Sequence, residues 1–125
     1  MLPITVTNDE ECELCPIRTL IAPLTAKWRP LILLSLQDGK QRFSDVKQLI
    51  GDITQRVLTE NLRNLERDGY LTREVHQTTR KQVYYELTER GHAAIDSLMP
   101  LINWAAGNLK EVKTSRADYD ARAPE

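Results

Sequence analysis

A mainly helical α+β fold is predicted for this 125-residue chain, and three observations predict it. Four stretches before residue 70 carry apolar residues at helical spacing, two short stretches after it alternate apolar with polar residues, and one more helical pattern follows. The length is that of one domain with one core.

Taken in order, Pro16 suits the first turn of a helix, and Ile17, Leu20, Ile21 and Leu24 recur behind it. A first helix is therefore expected from about Pro16 to Thr25. In WRPLILLSLQDGK, Pro30 again fits a first turn and Gly39 lies just past the last apolar residue. The run Leu31 to Leu34 is apolar on several sides, which places this second helix at the centre of the domain. In RFSDVKQLIGD, Ser44 is the expected N-cap, Val46, Leu49 and Ile50 form a short stripe, and Gly51 stops the helix. A fourth helix follows at once, capped by Thr54 and ended by Gly69. Its residues Val57, Leu58, Leu62 and Leu65 fall in one arc, while Gln55, Arg56, Thr59, Arg63 and Arg67 fall in the opposite one.

YLTREVH and QVYYEL then read as two strands of a hairpin with QTTRK as its basic tip. Thr88 can cap a last helix through about Leu109, whose Ile95, Leu98, Ile102, Ala105 and Leu109 keep a spacing of three and four, like a dimer seam. Pro100 within it is expected to kink or break the helix. No periodicity remains beyond about Lys113, so a domain over 1–112 and a disordered tail over 113–125 are expected.

The net charge of -1 decides nothing about partners, but its distribution is informative. Residues 27–81 hold eleven Lys/Arg against seven Asp/Glu, so the middle of the chain is the electropositive part. The longest apolar run is far shorter than the roughly 20 residues a membrane span needs. The first residues, MLPITVTNDEE, lack a basic region followed by an apolar stretch, so the expected address is cytoplasmic.

Three short helices followed by a two-stranded hairpin is the order of a winged helix-turn-helix, with Gly51-Asp52-Ile53 as the turn. In that arrangement the fourth helix enters the major groove of double-stranded DNA and its N-terminal residues meet base edges. Thr54, Gln55, Arg56 and Thr59 are residue types suited to that task, with Arg63 on the same face and Arg80 and Lys81 on the wing. Arg42 and Ser44, at the start of the third helix, and Thr79 in the wing complete the expected DNA surface. Each residue alone has a plainer reading: Thr54 is a cap, Leu58 to Leu65 is core, and Arg63 and Arg67 pair with Glu60, Glu66 or Asp68 on a solvated face. The combination of polar-basic face, tight turn and basic hairpin favours DNA.

The stretches CPIRTL, the KW of TAKW, GKQRFSDVKQLIGDITQRVLTENLRNLERDGYLTR, VYYELTERG and NWAAG together resemble the HxlR family of winged-helix transcriptional regulators, over about residues 12–107. The resemblance implies a homodimer on palindromic DNA, joined through N-terminal and C-terminal helices, with Leu20, Leu24, Leu98, Ile102, Ala105 and Leu109 as expected dimerisation residues. It also implies a recognition helix over Thr54 to Asp68 and a wing over Gln77 to Gln82. Two departures stand out: Ala26 where relatives often have Gly before Lys-Trp, and Arg80-Lys81 where they often have Pro-Pro. The wing is therefore expected to be more mobile and more electrostatic.

ECELCPI holds the chain's two cysteines, Cys12 and Cys15. A structural zinc site wants four clustered ligands, and the two histidines lie far along the chain, so no metal and no cofactor is expected. A thioredoxin-type pair lacks its βαβ context, and a thiol enzyme lacks a neighbouring base. Cys15 stands at the start of the first helix, where a helix N-terminus favours a thiolate while the surrounding carboxylates oppose it. A small buried hydrophobe is the plainer reading. The resemblance adds another, since several HxlR relatives sense oxidants or electrophiles through a cysteine at this place, with Cys12 as a possible resolving thiol. Two alternatives complete the list. One is a regulator answering a small aromatic effector held near Trp28 and Trp104; the other is a winged helix used only for protein interaction, which the polar face of the fourth helix disfavours.

Overall fold

The computed structural model describes residues 13–77 and 80–122. The chain divides into two compact units, Met1–Ile95 and Asp96–Glu125.

The first unit opens with a π-helical turn, Ile17–Ile21, that runs into α1, Ala22–Leu24. The turn widens immediately before Pro23, which has no N–H to continue an α-helical ladder. A first helix was expected from about Pro16 to Thr25, and the structure builds that stretch as a π-helical turn followed by a short α-helix. α2 spans Arg29–Ser35 with Pro30 in its first turn, and the chain leaves it through tight bonds from Leu36 N to Leu33 O and from Gln37 N to Leu34 O. Ile32, Leu33 and Leu36 are sealed from solvent, so α2 is central as predicted, although Leu31 remains 45% exposed.

α3, Phe43–Ile50, corrects the sequence reading at its start: Ser44 is not the cap but lies inside the first turn, exposed. Arg42 is the extended residue before the helix, and the Asp45 carboxylate accepts from the Arg42 backbone N–H at 3.1 Å and from its Nε at 3.4 Å. A carboxylate in the first turn also meets the positive end of the helix dipole. Gly51, at φ 92°, ends the helix by donating to Lys47 O.

α4 spans Gln55–Arg67, β2 Leu71–Gln77 and β3 Lys81–Leu87, and the two strands lie within one residue of their predicted positions. They pair antiparallel in a register that sets Leu71 opposite Leu87 and Arg73 opposite Tyr85. A third strand was not predicted. β1, Gln41–Arg42, pairs antiparallel with β3 through Gln41↔Tyr85 and Arg42↔Tyr84, giving the order β1-β3-β2. The core gathers Ile32, Leu33, Leu36, Val46, Ile53, Leu58, Leu62, Leu65, Leu71 and Ile95, all at 2% exposure or less. Burial of side chains of this size contributes about 1.5–3 kcal/mol each.

α5, Glu89–Asp120, begins on a cap in which Thr88 Oγ1 accepts from Gly91 N at 3.1 Å, as predicted. The predicted break at Pro100 does not occur. A proline removes a single donor, and the bonds on either side carry the helix through. Residues 113–120, expected to lack regular structure, are helical too. A segment polar nearly all round shows no apolar period, yet it can continue a helix already formed, because propagation adds one bond per residue without a new nucleus.

Candidate nucleic-acid interface

Positioning of α4 begins with the turn before it. Gly51 takes a backbone conformation that side chains avoid, Ile53 anchors the turn at 2% exposure, and Thr54 Oγ1 accepts from Val57 N at 3.2 Å. Its inner arc is then fixed by Leu58, Leu62 and Leu65, none more than 1% exposed. Gln55, Arg56 and Arg63 are consequently held outward and exposed. Thr59 is half-buried and donates back to Gln55 O at 2.8 Å, so its methyl rather than its proton is available to a ligand.

One acidic residue sits among them. Glu60 accepts from Arg56 Nε at 3.2 Å, one helical turn away, and this contact leaves the two Nη groups of Arg56 for another partner. The pairs expected for Arg63 and Arg67 are not formed; among the described residues neither guanidinium has a carboxylate within 4.0 Å.

The wing forms a second patch. Arg80 and Lys81 are exposed at the start of β3, while Thr79 lies outside the described residues. β1 is what brings distant sequence here: by pairing Arg42 with Tyr84, it sets Arg42 and Ser44 beside Arg80 and Lys81 around a shallow cleft of about 360 Å³. Thus the expected DNA residues fall into two groups, Thr54 to Arg63 on α4 and Arg42, Ser44, Arg80 and Lys81 around the wing.

α4 is clasped at its C-terminal end and near its middle by contacts that sequence reasoning missed. At its C-terminal end a Schellman turn forms, with Tyr70 N donating to Leu65 O and Gly69 N to Glu66 O. The next three carbonyls then all accept from the start of α5: Asp68 O from Arg90 Nη1 (3.0 Å), Gly69 O from Thr88 Oγ1 (2.6 Å) and Tyr70 O from Thr88 N (3.1 Å). Nearer the middle, Arg29 donates through Nε to Asn61 Oδ1 (3.2 Å) and through Nη1 to Pro23 O (2.8 Å), linking α4 to the end of α1. No spacing rule connects residues 29, 61 and 23, so no sequence signal pointed to this bridge.

Cys15 is 1% exposed, and its carbonyl accepts from Thr19 N as the helical turn begins. Cys12 lies outside the described residues. Of the expected dimerisation residues, Leu20 and Leu109 are 55% and 54% exposed, Ala105 is exposed, and Leu24, Leu98 and Ile102 are half-buried. Leu14, Ile17 and Ile21 near the N-terminal helix, and Leu101 and Trp104 on α5, add exposed apolar surface that was not predicted. Among the described residues no group of acidic, His or Cys side chains could hold a metal ion, and no helix is long and apolar enough to cross a membrane.

Comparison with known proteins places this geometry. The family model for the HxlR-like helix-turn-helix matches residues 23–113. The chain is 36% identical over 109 residues to the uncharacterized HTH-type transcriptional regulator YtfH of Escherichia coli (strain K12), covering 87% of this chain and 86% of that one. Among solved structures it is similar to a transcriptional regulator assigned as ytfH from Salmonella typhimurium (TM-score 0.75, 33% identity, 89% of this chain and 99% of that one). It is also similar to the redox regulator HypR in its reduced form (TM-score 0.73, 31% identity, 79% and 98%). With the family model matching residues 23–113 and these likenesses in sequence and shape beside it, the chain belongs to the HxlR-like helix-turn-helix family of transcriptional regulators.

Proposed function

We propose that this regulator acts as a homodimer on a palindromic DNA operator, with α4 in the major groove of each half-site. The observation that carries the reading is α4 itself: three leucines fix one arc in the core, a threonine caps the start, and Gln55 and Arg56 stand exposed in the first turn. Gln suits adenine and Arg suits guanine, each bidentately. The wing patch around Arg42, Ser44, Arg80 and Lys81, with Thr79, supplies phosphate contacts. The exposed apolar residues of the N-terminal helix and of α5, including Leu20 and Leu109, supply the contact between copies. Half-sites one DNA turn apart, about 34–36 Å, then demand a fixed spacing of the two α4 helices.

Oxidation or electrophilic modification of Cys15 is the proposed control. Cys15 is 1% exposed and its carbonyl accepts from Thr19 N inside the turn at Ile17–Ile21, so on this reading added oxygen or an adduct at its sulfur disturbs the start of that turn. The likeness to HypR, a redox regulator by name, supports the same reading. Cys12 is the proposed resolving thiol. A gel shift on the protein's own upstream DNA, with and without diamide and repeated for Cys15→Ser, tests both parts. Diamide is expected to release the parent and leave Cys15→Ser bound. Equal release of the two proteins refutes the control, and a parent that shifts no duplex refutes the DNA reading for that site.

A further inference from the structure

We propose that the cleft between α4 and the sheet, about 400 Å³ and lined by Thr59, Arg63, Glu66, Arg73 and Tyr85, is a seat for a phosphate oxyanion, filled by a backbone phosphate when DNA is bound. The occupant rests on the DNA-binding reading above; the seat itself does not. Arg73 is the telling residue. It pairs across the sheet with Tyr85 as Leu71 pairs with Leu87, so all four stand on one face, and Leu71, Tyr85 and Leu87 are buried. Alternation calls for an apolar residue at this position, yet a guanidinium occupies it.

Arg63 reaches the same cleft from α4, four residues after Thr59 and three before Glu66, so these three form one helical stripe. Neither Arg63 nor Arg73 has a carboxylate within 4.0 Å among the described residues, and Glu66, although it lines the cleft, is not that close to either. Two unpaired guanidiniums facing one space repel each other until an anion enters, and the planar Arg fork matches phosphate oxygens two at a time. With two positive groups and one carboxylate, the lining sums to a single positive charge. That balance suits the single negative charge of a phosphodiester. Tyr85 lines the same cleft, and its hydroxyl can serve as a further donor.

Two experiments decide the matter. In the first, fluorescence anisotropy on duplexes enriched by the parent from a random pool gives Kd at several salt concentrations for the parent, Arg73→Gln and Arg73→Lys. Arg73→Gln is expected to bind roughly tenfold more weakly, evenly across sequences. Its slope of log K against log salt should fall by about 0.9, with Arg73→Lys restoring the slope. In the second, dimethyl phosphate is titrated into the DNA-free protein at constant ionic strength while NMR follows backbone and Arg Nε resonances. Saturable shifts at Arg63, Arg73 and Tyr85, absent in Arg73→Gln, are expected. The first result alone establishes DNA as the occupant. An unchanged slope with Arg73-dependent shifts assigns the seat to a free phosphate ester instead, and no effect in either experiment overturns the proposal. A parent that enriches no duplex removes the DNA reading and leaves the titration to decide the seat. Arg73 is exposed, so a thermal melt matching the parent's checks that both variants fold.

Discussion

The clasp between α4 and α5 makes a sharp prediction at Gly91. This residue is buried in the first turns of α5, and a Cβ built on it would collide with the Tyr70 carbonyl oxygen while lying 3.1 Å from Leu87 Cδ2. In an ordinary helix, Gly→Ala gains about 1 kcal/mol. At Gly91 that gain is opposed by overpacking, typically about 1–3 kcal/mol, because the atom in the way is backbone and cannot swing aside. Moving it also strains the bond from Thr88 N to Tyr70 O, worth about 0.5–1.5 kcal/mol. The net expectation for Gly91→Ala is a loss of about 1–3 kcal/mol. For a chain of this size that is a drop of roughly 5–12 °C in Tm. Gly107, in the same helix, has nothing within 4 Å of its virtual Cβ, so Gly107→Ala should be neutral or gain up to about 1 kcal/mol. Thermal and urea melts at one fixed protein concentration compare the two variants with the parent. Should Gly91→Ala prove as stable as Gly107→Ala, the close approach of α5 to Tyr70 is wrong and the clasp with it.

Three further outcomes are expected. Thr54→Ala removes the side-chain cap from Val57 N and should cost about 1 kcal/mol in urea denaturation; an unchanged midpoint would mean the cap is not made in solution. Arg56→Ala should relax discrimination at one base pair by about 1–3 kcal/mol, measured as the ratio of Kd values on enriched and singly altered duplexes, whereas a uniform loss over all duplexes would make Arg56 a phosphate contact. Arg29→Lys keeps the charge but cannot span Asn61 and Pro23, so it should lower stability by about 1–2 kcal/mol and blunt the diamide response of DNA binding; a variant with the parent's melt and response refutes the bridge.

What could be read from sequence followed from periodicity. Leu58, Leu62 and Leu65 had to face inward because their spacing admits one buried arc, and that alone turned Gln55, Arg56 and Arg63 outward. The hairpin was legible for the same reason, since Val83, Tyr85 and Leu87 alternate over enough residues to show a period of two. β1 was not legible, because two residues contain no alternation; only its pairing with Tyr84 and Tyr85 makes it a strand. The cap of α3 was misread because Ser44 is a common capping type while Arg42, two residues earlier, is not, and only the contact of Asp45 with Arg42 shows where the helix starts. Arg73 was visible as a charge in an alternating strand, but its meaning depends on Arg63, which the fold alone sets across the same cleft.

These particulars bear on how a signal at one residue would reach DNA. α4 has few ways to move independently: its inner arc is packed, Arg29 ties its middle to the end of α1, and Thr88 and Arg90 hold the three carbonyls that follow its last turns. Packed interfaces of this kind respond by discrete shifts rather than by gradual bending. A change at Cys15 that repositions the π-helical turn therefore has a path of named bonds to α4, through α1, Pro23, Arg29 and Asn61. The path consists of two hydrogen bonds, each worth about 1.5–3 kcal/mol when a charged group takes part. That is comparable to the loss of one bidentate base contact, about 1–3 kcal/mol. On the proposed reading, a shift that breaks the Arg29 bridge is large enough to cost one half-site's base contact, and Arg29 would then set how strongly a change at Cys15 is felt at the DNA.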